Sequence, residues 1–562
     1  MSHLRVLRDR DLRLLLGGLT ISATGSWAYN VALLAYVYDA TGSLAWVGAA
    51  GLARYLPSLV FSAYSGVIAD RFERVRVMVA SDVLCMAMQG ALALAALAGA
   101  SAAVVVVLAA LTATANTVYN PAVAAMIPEI AGEQDLAAAN ALNGLIENLT
   151  VITGPAIGAG LLLLGSPTAV FAVNAVSFGV SAVLVSRMTA RSAPVDVTEG
   201  GAAGPLAQMK VGARTIMNDR AALVPVALCA LVSFVYGTDT VLFVGVSETK
   251  LGTGAEGFGY LMVGLGLGGV LMAGVVDRLA RHHRLAFVIT LGGVFYCLPT
   301  ALLVVIHNPT AAFVLQVIRG GATLIVDVLA VTALQRAVPQ DAVARVFGVF
   351  FAVVLGAISV GALITPPIVD AFGLNAGLVI MAVVPTALAL AAYPALAGLD
   401  RAAATRMSEL APRIAVLEGL GLFAAAHRTS LERLAAACTT VTFEPGDVIV
   451  REGDPADALY VILEGSVGVA ARGEAREERR LRTMGPDTYF GEIGVMERIP
   501  RTATVTAEAP TRCYRIDGDA FLDALTTTPP AAAVLDGVQT RLRASHPSRR
   551  LTYEHPAAGS AA

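Results

Sequence analysis

The chain has 562 residues, of which 56% are hydrophobic and only 14% are charged, with a mean hydropathy of +0.70. This composition excludes a disordered chain and an ordinary soluble protein. The formal net charge of −3 provides no basic field, so we expect no nucleic acid partner.

Charged residues are distributed unevenly along the chain. Residues 1–400 hold 20 Lys and Arg and 21 Asp and Glu, about 10% of that part, whereas residues 401–562 hold 19 and 21, about 25%. We therefore expect a membrane part followed by a soluble part. The five cysteines are scattered singly, so the sequence predicts neither a disulfide framework nor a metal site.

The membrane part contains about twelve apolar stretches long enough to cross a bilayer. The predicted spans are 12–38, 45–69, 76–98, 101–127, 138–165, 167–187, 221–246, 256–279, 285–305, 309–335, 342–369 and 373–397. The first has no small-residue cleavage site, so it is a retained span and not a signal peptide. The spans divide into a six-helix half at 1–187, a linker at 188–220 with one short surface helix, and a second six-helix half at 221–398.

The orientation of the spans follows from the positions of Lys and Arg between them. One set of ends carries nearly all of these residues, in clusters at Arg5 to Arg13, Arg71 to Arg76, Arg187 to Arg220, Arg278 to Arg284 and Arg336 to Arg345. The alternate set carries only Lys250. We therefore expect a multi-pass protein of the cell membrane whose two termini are both cytoplasmic.

The two halves of the membrane part show a loose internal repeat. Asp70 in GVIADRFERVRV corresponds to Asp277 in AGVVDRLARHHR at an offset of 207 residues, and the same offset relates Gly154 to Gly361. A parallel repeat of two six-helix halves is typical of secondary transporters.

The membrane part resembles the major facilitator superfamily of transporters over about 400 residues. The loop signature of that family matches Gly66, Asp70, Arg71 and Arg74, with Glu73 in place of a glycine. The resemblance implies that Asp70, Arg71, Asp277 and Arg278 latch conformational states across the two halves. The alternative is ordinary positive-inside anchoring, which explains the arginines but not the aspartates.

A second motif, TVITGPAIGAG, resembles the signature of exporters in this superfamily. It matches at Gly154, Pro155 and Gly158 in a small-residue face for helix packing, and has Thr150 where an earlier glycine is usual. The preceding run NPAVAAMIPEIAGEQDLAAANAL resembles the branch that includes siderophore and macrolide exporters.

Five ionisable residues fall inside predicted spans, where charge is expensive and marks a functional or paired group. They are Arg54, Glu147, Asp239, Arg319 and Asp327. Helical spacing places Glu147 on the same face as Gly154 and Gly158. We expect Glu147 or Asp239 to exchange a proton during transport, with fixed salt bridges as the alternative for each residue.

From about residue 413 the pattern changes to short strands broken by Gly and Pro, typical of a small β jelly roll. Amphipathic helices are predicted at 413–437 and about 519–543. The predicted limits are a linker at 399–414, a domain at 415–545 and a disordered tail at 546–562.

The segment FGEIGVMERIPRTATV, residues 490–505, carries the chemistry of the soluble part. Gly491 permits a close backbone approach, and a short helical turn begins there whose free N–H groups suit an anion. Arg501 supplies a forked cation suited to phosphate. Glu492 is expected to face a hydroxyl, so the segment predicts a pocket for a ribose phosphate.

This segment closely resembles the phosphate-binding cassette of the cyclic nucleotide-binding domain family, and the resemblance covers nearly all of residues 415–543. It implies that Arg501 contacts the cyclic phosphate and Glu492 the ribose 2′-hydroxyl, with Gly491, Ile493, Thr502 and Ala503 in the cassette. In family members a hydroxyl side chain at the position of Thr502 often accompanies cGMP, although some cAMP-selective members also have Thr there. The Ala- and Arg-rich, bacterial-looking composition favours cAMP.

Together these features predict an α-helical membrane protein with twelve transmembrane helices in two six-helix halves, followed by a cytoplasmic β jelly-roll cyclic nucleotide-binding domain with flanking helices. The expected function is ion-coupled efflux of a small amphipathic or hydrophobic compound, regulated by a cyclic nucleotide. The alternatives are a membrane sensor or scaffold without transport, and an exporter of the nucleotide itself. The sequence has no nucleophile elbow, Walker loop or metal cluster, so we expect no enzyme.

Overall fold

The structure is a computed structural model. It describes residues 8–164, 166–190, 205–254, 257–279, 284–338, 342–423, 428–472, 478–527 and 540. The chain divides into two compact units, Met1–Asp400 and Arg401–Ala562. The predicted disordered tail at 546–562 lies outside the described residues, and the predicted domain limits stay predictions.

The N-terminal half of the first unit consists of long apolar helices. They are α1 (Arg10–Thr41), α2 (Leu44–Arg71), α3 (Arg74–Leu97), α4 (Ala102–Asn116), α5 (Tyr119–Leu164) and α6 (Pro167–Ser186). Within α5, Gly132 has a φ of 63°, a left-handed conformation that favours glycine. This residue interrupts the helical backbone between the predicted spans 101–127 and 138–165.

A connecting helix, α7 (Pro205–Asn218), precedes the C-terminal half, which repeats this pattern. The helices of this half are α8 (Arg220–Val246), α9 (Gly257–Leu279), α10 (Leu285–Cys297), α11 (Pro309–Ala337) and α12 (Val343–Gly419). Helix α8 continues into a π-helical turn at Ser247–Leu251, and α10 into a 3-10 helix at Leu298–Val304. The short helix predicted in the linker is α7, whereas residues 191–204 of that linker lie outside the described residues.

The number of spans differs from the predicted twelve when helices are judged by length and composition alone. In the described part of the chain, ten helices qualify, and α1 is not among them. The last of the ten runs over Arg345–Gly419 and includes both predicted spans at 342–369 and 373–397. Gly373, with a φ of 82°, breaks the helical backbone between them. The count of twelve stays a prediction.

Close helix packing follows the internal repeat. A Cβ atom added to Gly154 of α5 would clash with the side chain of Trp27 in α1. A Cβ atom added to Gly361 of α12 would clash with the backbone carbonyl of Phe234 in α8. Gly154 lies 207 residues before Gly361, and Trp27 lies 207 residues before Phe234. The same tight helix crossing is therefore built twice, once in each half.

The second unit contains two four-stranded antiparallel sheets. The strands are β1 (Thr439–Phe443), β2 (Val448–Val450), β3 (Ala458–Glu464), β4 (Val467–Arg472), β5 (Glu478–Met484), β6 (Tyr489–Phe490), β7 (Thr504–Ala507) and β8 (Thr511–Asp517). The strand orders are β1-β8-β3-β6 and β2-β7-β4-β5. The crossovers in both orders are typical of a jelly roll.

Flanking helices complete this unit as α13 (Arg428–Ala437), α14 (Glu492–Glu497) and α15 (Gly518–Thr527). The fold class, a helical membrane part followed by a β-rich domain with flanking helices, is confirmed.

The predicted linker at 399–414 is helical and belongs to α12, because Ala, Arg and Glu are strong helix formers. The predicted helix at 413–437 is not one element, because Gly419 ends α12 and a 3-10 helix at Gly421–Phe423 follows. The predicted helix at 519–543 is described only as α15, and its residues 528–539 lie outside the described residues.

Candidate functional site

Two buried charged side chains line one cavity in the β-rich unit. Arg501 is 5% exposed and Glu492 is 2% exposed, and both border a cavity of about 470 Å³. Such a volume lies in the range of small-molecule sites. The remaining walls are mostly apolar and include Val469, Leu481 and Phe490. The site therefore combines apolar walls with one buried cation and one buried carboxylate.

The guanidinium of Arg501 is held in position by three acceptors. It donates hydrogen bonds to the backbone carbonyl oxygens of Ala458 at 2.8 Å and Gly491 at 3.2 Å. It also donates to Oδ1 of Asp457 at 2.9 Å. Gly491 has a φ of 87°, and a Cβ atom there would lie 2.6 Å from the Arg501 guanidinium. Glycine is therefore required at this position by both backbone conformation and space.

A β-bulge directs two further arginines toward the cavity. In β5, Arg482 pairs with Val469 of β4 and Arg479 pairs with Ala471 of β4. Leu481 is the extra residue of the bulge and has no partner in β4. Val469 and Ala471 are buried, and directly paired residues lie on the same face of a sheet. Arg479 and Arg482 therefore lie on the inner face, and both border the cavity, as does Arg480.

The other predicted cassette residues also border this cavity. Gly491, Ile493, Thr502 and Ala503 all contribute to its walls together with Arg501 and Glu492. Sequence reasoning did not identify Arg479, Arg482 or Asp457. The run of arginines in EERRLR was visible, but the bulge that decides which of them face inward could not be read from alternation alone.

Asp457 links two arginines at the edge of the site. Its carboxylate accepts hydrogen bonds from Arg501 at 2.9 Å and from Arg515 at 2.8 Å. Burial by itself would raise the pKa of Asp457, but the hydrogen bond from Arg515 and the charges of both arginines outweigh it. The pKa of this carboxyl is therefore held below its usual value of 3.8.

In the membrane part, Asp239 and Arg319 form a fully buried ion pair. Nη2 of Arg319 donates to Oδ2 of Asp239 at 2.7 Å, and both side chains are 0% exposed. Arg319 also donates to the backbone carbonyl of Tyr296 at 2.7 Å and to the side chain of Gln316 at 2.8 Å. This cluster joins α8, α10 and α11. A fixed salt bridge, the alternative raised from the sequence, fits this geometry.

Asp327 lies at a cavity between the two helical halves. This cavity of about 460 Å³ is bordered by α1 and α5 of one half and by α8, α9, α11 and α12 of the other. Its walls are mainly apolar, including Trp27, Leu265 and Ile358. Asp327 is the single carboxylate among the described residues that line it.

Arg54 and Glu147 border a second cavity of about 360 Å³ in the N-terminal half. Arg54 donates a hydrogen bond to the carbonyl of Ser26 at 3.2 Å and lies over the ring of Trp27 at 4.8 Å. Glu147 accepts a hydrogen bond from Asn143 at 3.0 Å. On the same helix, Gly158 contacts the backbone of Ala28 in α1.

Pro155 lies between these groups in α5 and borders the cavity of Asp327. It follows Gly154 directly, so the small-residue face and the wall of the cavity belong to one helical turn.

The predicted latch residues are described only in part. Arg74 forms an ion pair with Glu129, so this arginine has a partner within the N-terminal half. Arg71 lies over the ring of Phe72 at 6.0 Å, and Arg278 is exposed at the end of α9. The side chains of Asp70 and Asp277, and the surroundings of Gly66, lie outside the described residues.

Sequence reasoning also missed Asp82, a sixth intramembrane ionisable residue. It lies within the predicted span 76–98 and is 0% exposed. Its charge within an apolar span was the available signal.

Comparison with known proteins gives two family matches. The sequence model of the Major Facilitator Superfamily matches residues 15–362, and that of the cyclic nucleotide-binding domain matches residues 440–528. The first match covers more than half of the chain. The second covers the strands and the cavity that contain Arg501 and Glu492.

Two curated relatives are similar to a part of the chain. The chain is 41% identical over 100 residues to a cAMP-dependent protein kinase regulatory subunit of Dictyostelium discoideum, covering 17% of this chain and 31% of that protein. It is 31% identical over 106 residues to a CRP-like cAMP-activated global transcriptional regulator of Mycobacterium tuberculosis, covering 19% and 47%. The chain thus spans less than half of the length of these relatives.

Among solved structures, the N-terminal domain of a transcriptional regulator from Streptomyces coelicolor A3(2) is 33% identical, with a TM-score of 0.20. The similarity covers 24% of this chain and 98% of that domain.

We predict an acid-sensitive contribution of Asp457 to the stability of the C-terminal unit. Because its folded pKa lies below the usual value, the ionised carboxylate stabilises the fold above about pH 4, and this contribution is lost as the pH falls through the folded pKa. Asp457→Asn is expected to lower the melting temperature at pH 7 and to approach the wild type as the pH falls below the folded pKa. Thermal unfolding of the full chain across pH measures this. The exposed Asp487→Asn is the matched control, and equal pH profiles for both variants would contradict the prediction.

Proposed function

The chain belongs to the Major Facilitator Superfamily and carries a cyclic nucleotide-binding domain, and on that premise we propose that it is an ion-coupled exporter regulated by a cyclic nucleotide. Its substrate is a small apolar or amphipathic compound. The observation that carries the regulatory part is the pairing of buried Arg501 and Glu492 in one enclosed cavity. The ten membrane-length helices found among the described residues support a multi-pass protein, and the positions of Lys and Arg support cytoplasmic termini.

The cavity of Asp327 supports the proposed class of substrate. Apolar walls from both halves suit a hydrophobic compound, and cavities between repeats are the usual place for substrate in secondary transporters. A single carboxylate suits a cationic or hydrogen-bond-donating group on that compound. We therefore propose an amphipathic substrate whose polar end faces Asp327.

The cavity of the C-terminal unit suits a cyclic nucleotide at three points. Arg501 offers a forked cation to the cyclic phosphate. Glu492 accepts a hydrogen bond from the ribose 2′-hydroxyl. The apolar walls, such as Val469 and Leu481, enclose the remainder of the ligand.

Two observations bear on the base of the nucleotide. The names of the curated relatives refer to cAMP, which supports cAMP for this chain as the composition does. Arg482 lies on the inner face of β5 and favours the alternative, cGMP. An arginine side chain only donates hydrogen bonds, and guanine offers two acceptors, O6 and N7. Adenine presents a donor in place of O6. Thr502 also borders the cavity, and its hydroxyl can form a hydrogen bond with guanine.

The first test removes the phosphate contact. Arg501→Ala is expected to weaken cyclic nucleotide binding by about 2 to 4 kcal/mol, since charge-assisted hydrogen bonds are lost and the phosphate is left unpaired. Calorimetry of the full chain with cAMP and cGMP measures this. The matched control is Arg512→Ala, an exposed arginine of the same unit that pairs with Glu464. Absence of binding by the wild type at millimolar nucleotide would refute a nucleotide site.

The second test concerns the base. Arg482→Ala is expected to weaken cGMP binding by about 1 to 3 kcal/mol and to leave cAMP binding nearly unchanged. Thr502→Ala is expected to act in the same direction. Arg512→Ala is the control, because Arg512 pairs with Glu464 and is not among the described residues that border the cavity. Equal losses for both nucleotides in Arg482→Ala would remove the role of this residue in base selection.

The third test addresses transport and its regulation together. A nucleotide alters flux only if it binds differently to the two states of the transporter. In proteoliposomes with an imposed proton gradient, flux of amphipathic test compounds is expected to change on addition of nucleotide in the wild type but not in Arg501→Ala. Flux that is insensitive to nucleotide would leave the domain a separate sensor. If a labelled cyclic nucleotide is itself transported into or out of the proteoliposomes, the nucleotide is a transported substrate of this protein.

A further inference from the structure

Asp82 is a buried carboxylate of the N-terminal half with an unusual set of neighbours. It lies on α3 and is 0% exposed. Its Oδ2 accepts a hydrogen bond from Oγ of Ser181 on α6 at 2.7 Å. Its Oδ1 has no hydrogen-bond partner among the residues that the structure describes. One oxygen of this carboxyl therefore has no partner among the described residues, which a buried carboxylate tolerates less well than a neutral acid does.

The comparison with Asp239 shows what is missing around Asp82. Both carboxyls are fully buried, but Asp239 is neutralised by direct contact with Arg319. In the described part of the chain, no Lys or Arg forms an ion pair with Asp82. Burying a lone carboxylate without a counter-charge costs several kcal/mol, whereas the neutral acid carries a much smaller penalty. The setting of Asp82 therefore stabilises the protonated form.

Two of the helices that pack against α3 offer no acid or base, and the acid of α5 that the structure pairs with α3, Glu129, is bound to Arg74. Helices α4 and α6 contain no Asp, Glu, His, Lys or Arg anywhere in their length. The titratable side chains that face Asp82 are Cys85 on its own helix and Tyr119 on α5. Cys85 donates to the carbonyl of Thr112 at 3.7 Å. Among the described residues, Asp82 is therefore the one carboxyl of this cluster.

A chain of hydroxyl groups connects Asp82 to a cavity. The hydroxyl of Tyr119 lies 3.2 Å from Oγ of Ser181, which in turn donates to Asp82. Tyr119 also borders the cavity that contains Arg54 and Glu147. Hydroxyls can donate and accept at once, so they can pass protons along such a chain. The buried carboxyl is thus linked to the cavity without being exposed to it.

We propose that Asp82 is a proton-carrying site of the transporter, loaded from this cavity through Tyr119 and Ser181. Tyr119 accepts a proton from the cavity and passes its own to Ser181, which passes its own to the Asp82 carboxylate, so that one proton is gained in total. Release follows the same path in reverse. The site takes a proton as its ligand, and its role in coupling rests on the proposed transport function.

The protonation state is tested on the full chain by infrared spectroscopy in lipid at neutral pH. The carbonyl stretching band of a neutral carboxylic acid is expected in the wild type and is expected to be lost in Asp82→Asn. The matched control is Asp239→Asn, which is expected to retain that band. Retention of the full band in Asp82→Asn would show that this carboxyl is ionised and would overturn the proposal.

Stability provides a second measurement for the same variants. Asp82→Asn replaces a neutral acid by a neutral amide of similar shape, so its melting temperature is expected to stay close to that of the wild type. Asp239→Asn leaves the buried charge of Arg319 without its partner and is expected to lower the melting temperature clearly. A loss for Asp82→Asn as large as that for Asp239→Asn would contradict a neutral Asp82.

The relay is tested by the rate at which the Asp82 band shifts on transfer to D2O. Tyr119→Phe and Ser181→Ala are expected to slow this exchange at least tenfold. Ser177→Ala, one turn earlier on α6, is the control, because Ser177 bonds within its own helix to Asn174. An unchanged rate in both relay variants would overturn the path. None of these readouts needs transport, so failure of the transport proposal would be seen separately, as absent flux in proteoliposomes.

Discussion

A polar side chain buried between membrane-length helices must find its partner within the protein, because neither lipid nor water is there to replace it. The membrane part meets this constraint in two ways. Asp239 is matched by Arg319, with Tyr296 and Gln316 satisfying further groups of the guanidinium. Among the described residues, Asp82 is matched only by a hydroxyl. The first arrangement fixes three helices together, whereas the second leaves a carboxyl whose charge depends on a proton.

The internal repeat duplicates the scaffold but not this chemistry. At the offset of 207 residues, the tight packing of Gly154 on α1 recurs as the packing of Gly361 on α8. At the same offset, however, Asp82 corresponds to Ile289 and Arg319 to Thr112. Helix packing depends on small residues at crossing points, which both halves need alike. The buried charges are not duplicated, so the two halves have different electrostatic roles.

The nucleotide site shows how much of a site can be predicted from a local motif. Arg501 and Glu492 were assigned from one short segment, and the structure brings them to one cavity because that segment folds as a turn, a short helix and a strand start. Asp457 is 44 residues from Arg501 and Arg482 lies on a different strand, so no local pattern connected them to the site. Strand pairing and the bulge in β5 made that connection.

The sequence by itself determined the membrane and soluble parts, the family, the order of helices and strands, and the cassette, because hydropathy, helical or strand period and turn residues act over short distances. It did not determine the number of spans, since α12 is apolar on both sides of Gly373, nor the helical state of residues 399–414. Only the tertiary structure decided that Asp239 meets Arg319 and that Asp82 meets no cation among the described residues. Spacing along one helix defines a face, but the residues on the opposing helix depend on how the whole bundle packs.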